Sequence, residues 1–86
     1  MIKKLIFIDI RLTIIEKLGL NREDIFTFSR LSRDLNIQSW GRTLLFMQLE
    51  KDYQMTFTMN DISASKTIDD IIDVMYEKLD RRLLQI

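Results

Sequence analysis

The chain has no cysteine, no histidine and no proline among its 86 residues. Without cysteine it can form neither disulfides nor thiolate metal sites, and its redox compartment cannot be read. Without histidine it lacks the usual general base, the usual imidazole ligand and the usual switch near neutral pH. No nucleophile–base pair is left to support an enzyme acting alone. Long apolar runs are missing too: none approaches the roughly 18–20 residues of a membrane span. The opening Met1-Ile2-Lys3-Lys4-Leu5-Ile6-Phe7-Ile8 imitates a signal peptide, but Asp9 and Arg11 interrupt it and no small-residue cleavage site follows. The expectation is a cytoplasmic domain.

Charge of one sign is also lacking, since thirteen basic residues balance thirteen acidic ones. Their distribution is uneven. Residues 1–33 carry seven basic and four acidic groups, and residues 58–80 carry two and six. This polarity does not supply the clustered basic face of a nucleic-acid binder, so no nucleic-acid partner is expected. A chain of this length buries only about 60% of its unfolded surface and has room for one core, hence a single domain over 1–86.

What is present is helical periodicity. Residues 8–14 alternate like a strand, yet Leu5, Ile8, Leu12, Ile15 and Leu18 share one helical face. The length of the segment, with Lys17 in the last turn and Gly19 placed for a C-cap, favours a helix over 3–18. A long loop over 20–38 follows, with a polar turn at Asn21-Arg22-Glu23-Asp24 and apolar anchors Ile25, Phe28, Leu31 and Leu35. Residues 29–35 have room for a short helical turn. Unstructured connections this long are often functional.

A second helix is expected from Ser39 to about Tyr53. It carries two apolar stripes, Leu45, Phe46, Leu49 and Tyr53 on one side and Trp40, Leu44 and Met47 on another. One stripe suffices for a core, so the second either packs under the long loop or meets a partner. After an extended link at Met55-Thr56-Phe57, Thr58 with Asp61 and Thr67 with Asp70 each form a capping-box pattern. The first opens a short helix ending near Ala64. The second opens a last helix whose face is Ile68, Ile71, Ile72, Met75, Leu79 and Leu83. Asp69, Asp70 and Asp73 fit the dipole of its first turns better than a metal cluster. The Asp80-Arg81-Arg82 segment and the residues after it are expected to fray.

Ser39 stands out. It lies where a polar loop meets a helix start, amid unpaired N–H groups and the positive end of the dipole, a place that favours a phosphate ester. Serine also fills plain N-caps very often, and local sequence alone gives that role first.

Taken along nearly its whole length, the chain resembles the acyl carrier proteins. The likeness runs through Glu16-Lys17-Leu18-Gly19-Leu20, the acidic turn before Ile25, Asp34-Leu35, Ser39, Leu49-Glu50-Lys51-Asp52-Tyr53 and Thr67-Ile68. The resemblance implies an all-α fold: a small four-helix bundle of three main helices and one short helix with a long first loop. It implies a monomeric carrier with no catalysis of its own. Its cofactor would be 4′-phosphopantetheine, attached from coenzyme A to Ser39 by a phosphopantetheinyl transferase. Acyl groups held there as thioesters would serve acyl-transferring or condensing enzymes of lipid or polyketide-type synthesis. An acyl chain would shelter beside Phe46, Leu49, Ile71 and Met75.

The family pattern Asp-Ser-Leu is here Gln38-Ser39-Trp40, and the glycine-rich surroundings of peptidyl carriers are absent. The family's acidic second helix is replaced by one carrying Arg42, Leu44 and Lys51. Trp40, Arg42, Leu44 and Met47 are therefore the candidate partner-recognition residues. The alternative is a carrier-like interaction module that has lost the arm, with Trp40, Leu44 and Met47 as its docking patch or a homodimer seam.

Overall fold

The computed structural model describes residues 2–84. Its helices are α1 (Ile2–Leu18), α2 (Ser39–Tyr53), the short α3 (Met59–Ala64) and α4 (Ile68–Leu84), with a 3-10 turn at Arg22–Asp24. The four-helix bundle with a long first loop is therefore as expected, and α1 packs against both α2 and α4.

The face of α1 is a correction. Leu5 and Leu12 are 58% and 51% exposed, while Ile6, Ile10, Thr13 and Ile14 are buried. Apolar residues surround this helix on nearly every side, so periodicity cannot choose the inner stripe. The column of Ile6, Ile10 and Ile14 meets Leu45, Phe46 and Leu49 of α2 and Ile68, Ile71, Ile72 and Met75 of α4 in one core. α1 ends at Gly19, whose φ of 69° is the left-handed conformation of a helix C-cap and whose N–H reaches the Ile15 carbonyl at 3.1 Å.

Ile25, Leu31 and Leu35 pin the long loop, as expected, and Ile37 joins them in the core. Phe28 does not: it is 69% exposed and stacks on Phe26 with ring centroids 5.1 Å apart. Its neighbour Ser29 takes the inward position, accepting from the Phe26 N–H at 2.8 Å. Main-chain bonds then lace the loop to the start of α4. The Leu31 N–H meets the Lys66 carbonyl at 2.9 Å, and the Ile68 N–H meets that of Ser29 at 3.1 Å. The turn over 31–35 is closed by the Asp34 N–H bonding the Arg30 carbonyl at 3.0 Å.

Both capping boxes form. Thr58 Oγ1 accepts from the Asp61 N–H at 3.0 Å, and Thr67 Oγ1 from the Asp70 N–H at 3.2 Å. Each carboxylate reaches back to the N–H of its threonine, at 2.9 and 3.0 Å. Asp73 pairs instead with Lys3 of α1 at 3.2 Å. The far end of the bundle is tied by the Tyr53 hydroxyl donating to the Asp9 carboxylate. Burial, and then that bond, push the Tyr53 hydroxyl well above the ordinary phenol range.

The expected fraying of 80–82 is also corrected. α4 continues through them, and Arg82 Nη1 donates to the Tyr53 carbonyl at 2.9 Å, capping the C-terminal end of α2. The expected position of Leu83 on the α4 face concerns a side chain outside those described.

Candidate functional site

The start of α2 is built around residues with no side-chain cap. Gln38 occupies the N-cap position with extended backbone (φ −100°, ψ −170°), and its side chain bonds Asn36 Oδ1 at 3.2 Å instead of the helix. Ser39 is thus the first helical residue and not the N-cap, which corrects the plain capping role. Its side chain is exposed, and among the described residues its hydroxyl has no hydrogen-bond partner. Only its carbonyl is engaged, by Thr43 Oγ1 at 2.9 Å. No acidic residue stands in the first turn of α2. The positive end of the helix therefore meets neither a cap nor a carboxylate of its own.

Two depressions lie at this helix start, one of them lined by Ser39 itself. One, of about 430 Å³, is lined by Ser32, Ile37, Gln38, Ser39, Arg42, Thr43, Met59, Ile62 and Ser63. The other, of about 270 Å³, lies on the Trp40 side and is mostly apolar, with Leu18, Leu20, Leu35 and Ile37 in its lining. Gly41 lets the chain close in here. A Cβ on it would stand 3.3 Å from Ile37 Cγ2 and 3.6 Å from Leu18 Cδ2.

The two stripes of α2 separate as their spacing suggests. Leu45, Phe46 and Leu49 are in the core, and Tyr53 lies partly buried against it. Trp40 is 75% exposed, Met47 60% exposed, and Leu44 partly buried. Across the Ser39 groove stands Met59, 84% exposed at the start of α3. Sequence reasoning passed over Met59, although an apolar residue directly after a capping threonine has no capping duty and was the available sign.

Arg42 lines the groove but is engaged within the protein. Its guanidinium Nη1 donates to the carbonyls of Ile62 at 3.1 Å and Ser65 at 2.6 Å, fastening the end of α3 to α2. Asp34 works within the loop, accepting from the Arg30 N–H at 2.8 Å and from its guanidinium. Those bonds hold its carboxyl below the usual range. Phe46, Leu49, Ile71 and Met75 are buried in the packed core, so an acyl chain among them would have to displace existing contacts.

A phosphate ester fits the Ser39 position. The hydroxyl is free and reachable, the helix end is electropositive, and the groove beside it has open volume. Among the described residues there is no group of side chains suited to a metal ion, and no helix is long and apolar enough to cross a membrane.

No protein-family model matches the chain. Curated relatives do. The acyl carrier protein of Chlamydia muridarum is 31% identical over 70 residues, covering 81% of this chain and 91% of that protein. The acyl carrier protein of Chlamydia trachomatis serovar D is 30% identical over 70 residues, again 81% and 91%. That of Chlamydia felis is 30% identical over 64 residues, 74% of this chain and 82% of the relative.

Proposed function

The chain belongs to the acyl carrier protein family, and from that premise we propose that it carries acyl groups on a 4′-phosphopantetheine arm attached to Ser39. The observation behind this reading is the Ser39 hydroxyl itself, exposed and without a partner among the described residues, at an uncapped helix start. A phosphopantetheinyl transferase forms the bond from the serine oxygen to the pantetheine-bearing phosphorus of coenzyme A, and the pyrophosphate P–O bond breaks. The hydroxyl proton is lost, and adenosine 3′,5′-bisphosphate departs. The arm's thiol supplies the thioester link to the acyl cargo. Every further step is the work of acyl-transferring or condensing enzymes of lipid or polyketide-type synthesis. The carrier acts as a cytoplasmic monomer.

Trp40, Leu44 and Met47, with Met59 beside them, form the surface those enzymes read. A large exposed aromatic and flexible thioethers are typical of contact surfaces that adapt to a partner. Arg42 contributes by holding α3, and therefore Met59, in place next to Ser39.

Intact mass tests the reading. The protein expressed in its native host gains the mass of one phosphopantetheine, and Ser39→Ala does not. An unmodified mass that persists with coenzyme A and transferases of several specificities would overturn it. The exposed Trp40 face would then favour the second reading, a carrier-like interaction module without the arm.

A further inference from the structure

Adjoining the Ser39 groove, five residues line a second basin of about 370 Å³: Arg30, Ser32, Arg33, Arg42 and Lys66. The loop supplies three of them, α2 one, and the α3–α4 link the last. Arg30 is paired with Asp34 at 3.3 Å. Among the described residues, Arg33, Arg42 and Lys66 form no ion pair. Asp70 faces Lys66 but accepts from the main-chain N–H groups of Lys66 and Thr67, at 2.8 and 3.0 Å. Asp61 is drawn away to Lys78 at 3.1 Å. Four cations thus stand against two carboxylates, Asp34 and Asp70, which leaves two positive charges over the basin. Arg42 is the telling member, because its guanidinium is partly buried and bonded only to neutral carbonyls. A half-buried cation bonded only to neutral carbonyls keeps its charge unmatched, and a bound anion would meet it.

The geometry points to a phosphate-binding basin. A phosphate monoester or pyrophosphate brings about two negative charges and several acceptor oxygens, matching the excess. A single carboxylate brings one. Arginine forks suit phosphate oxygens well, and Ser32 adds a hydroxyl. Ser32 and Arg42 line both the basin and the groove that holds Ser39. The phosphate is supplied either by the phosphodiester carried on Ser39, which brings one negative charge with several acceptor oxygens and rests on the function proposed above, or by a monoester or pyrophosphate from solution, which brings about two or more and does not.

The experiment begins with unmodified protein, titrated with pyrophosphate at constant ionic strength beside a chloride control. Binding is followed by amide resonances of Ser32, Arg33 and Lys66 and by arginine Nε signals. The expected result is a saturable shift confined to the basin. Arg33→Gln with Lys66→Gln should weaken it at least about tenfold, since each lost charge-assisted contact costs about that factor. Both side chains are exposed, so the fold should survive, which the remaining resonances report. A shift that never saturates, or equal affinity in the double variant, would overturn the proposal. Repeating the titration on arm-loaded protein identifies the source. Weakened binding means that the Ser39-linked phosphate already occupies the basin; unchanged binding means that it takes phosphate from solution. A chain that cannot be loaded leaves the first titration intact, so failure of the carrier reading and failure of the basin are separable.

Discussion

Arg42 and Ser65 are joined by a 2.6 Å hydrogen bond between guanidinium Nη1 and main-chain carbonyl, across 23 residues of sequence. With the parallel bond to Ile62, this makes one side chain of α2 the terminus of α3, a helix of six residues too short to be stable alone. Arg42→Met keeps most of the stem and removes both bonds. It should cost about 1–2 kcal/mol in urea unfolding, toward the lower end of what bonds from charged donors are worth because the site is partly exposed. Arg42→Lys should recover only part, since an ammonium lacks the planar fork. A neutral Arg42→Met would show that the other contacts of α3, the Asp61–Lys78 pair among them, hold it without these bonds.

Trp40 and Met47 should behave oppositely. At 75% and 60% exposure they contribute little to the core. Trp40→Ala and Met47→Ala should each change stability by less than about 0.5 kcal/mol. Both should slow modification of Ser39 or transfer to partner enzymes. Trp40 fluorescence should already resemble that of a water-exposed indole in the folded protein and shift little on unfolding. A loss of several kcal/mol in Trp40→Ala would place the ring in the core and end its role as a contact surface.

The features legible in sequence are those set by neighbours within a helical turn. The start of α2 at Ser39, the Thr58–Asp61 and Thr67–Asp70 boxes and the inner face of α4 all depend on spacings of three or four residues. Spacing also showed that α2 carries one stripe more than a core needs, but it left open whether Trp40, Leu44 and Met47 pack under the loop or face outward; the fold exposes Trp40 and Met47 and half-buries Leu44. The buried face of α1 was illegible because Leu5, Ile8 and Leu12 are as apolar as Ile6, Ile10 and Ile14, and only the positions of α2 and α4 choose between them. Phe28 failed as an anchor for a similar reason: small Ser29 fits inward at a turn where a ring stacks outward on Phe26. The tasks of Arg42 and Arg82, and the gathering of Arg30, Arg33, Arg42 and Lys66, arise from segments distant in sequence. Local pattern carries no sign of them.

Gly19 offers a test of backbone strain with little interference from packing. Its φ is +69°, and a Cβ placed on it would meet no atom within 4 Å. Gly19→Ala should therefore cost about 1 kcal/mol through the left-handed conformation alone. Gly19→Asn should cost less, because asparagine tolerates that region. Equal losses in both variants would point to a contact in place of a conformational cause. Thermal unfolding of the three proteins decides between them.

Asp70 sets how stability depends on acid. Partial burial pushes its carboxyl up, but the N–H groups of Lys66 and Thr67 and the Thr67 hydroxyl outweigh that, and it ends below the ordinary value of 3.8. Asp61 is lowered too, chiefly by the Thr58 N–H. A carboxylate depressed in the folded state stabilises fully above its unfolded value and loses that contribution as pH falls through the folded one. Stability to urea should therefore be level from neutral pH down to about 5 and decline below about 4. Asp70→Asn should start lower at neutral pH, since the amide accepts the same N–H groups without charge, and should fall less steeply in acid. Because the Asp70 bonds also orient the α3–α4 link next to Lys66, the same variant should alter pyrophosphate binding, tightening it by removing one of the two carboxylates that face the basin. Parallel acid slopes in the two proteins would assign the acid response to other carboxylates and remove Asp70 from it.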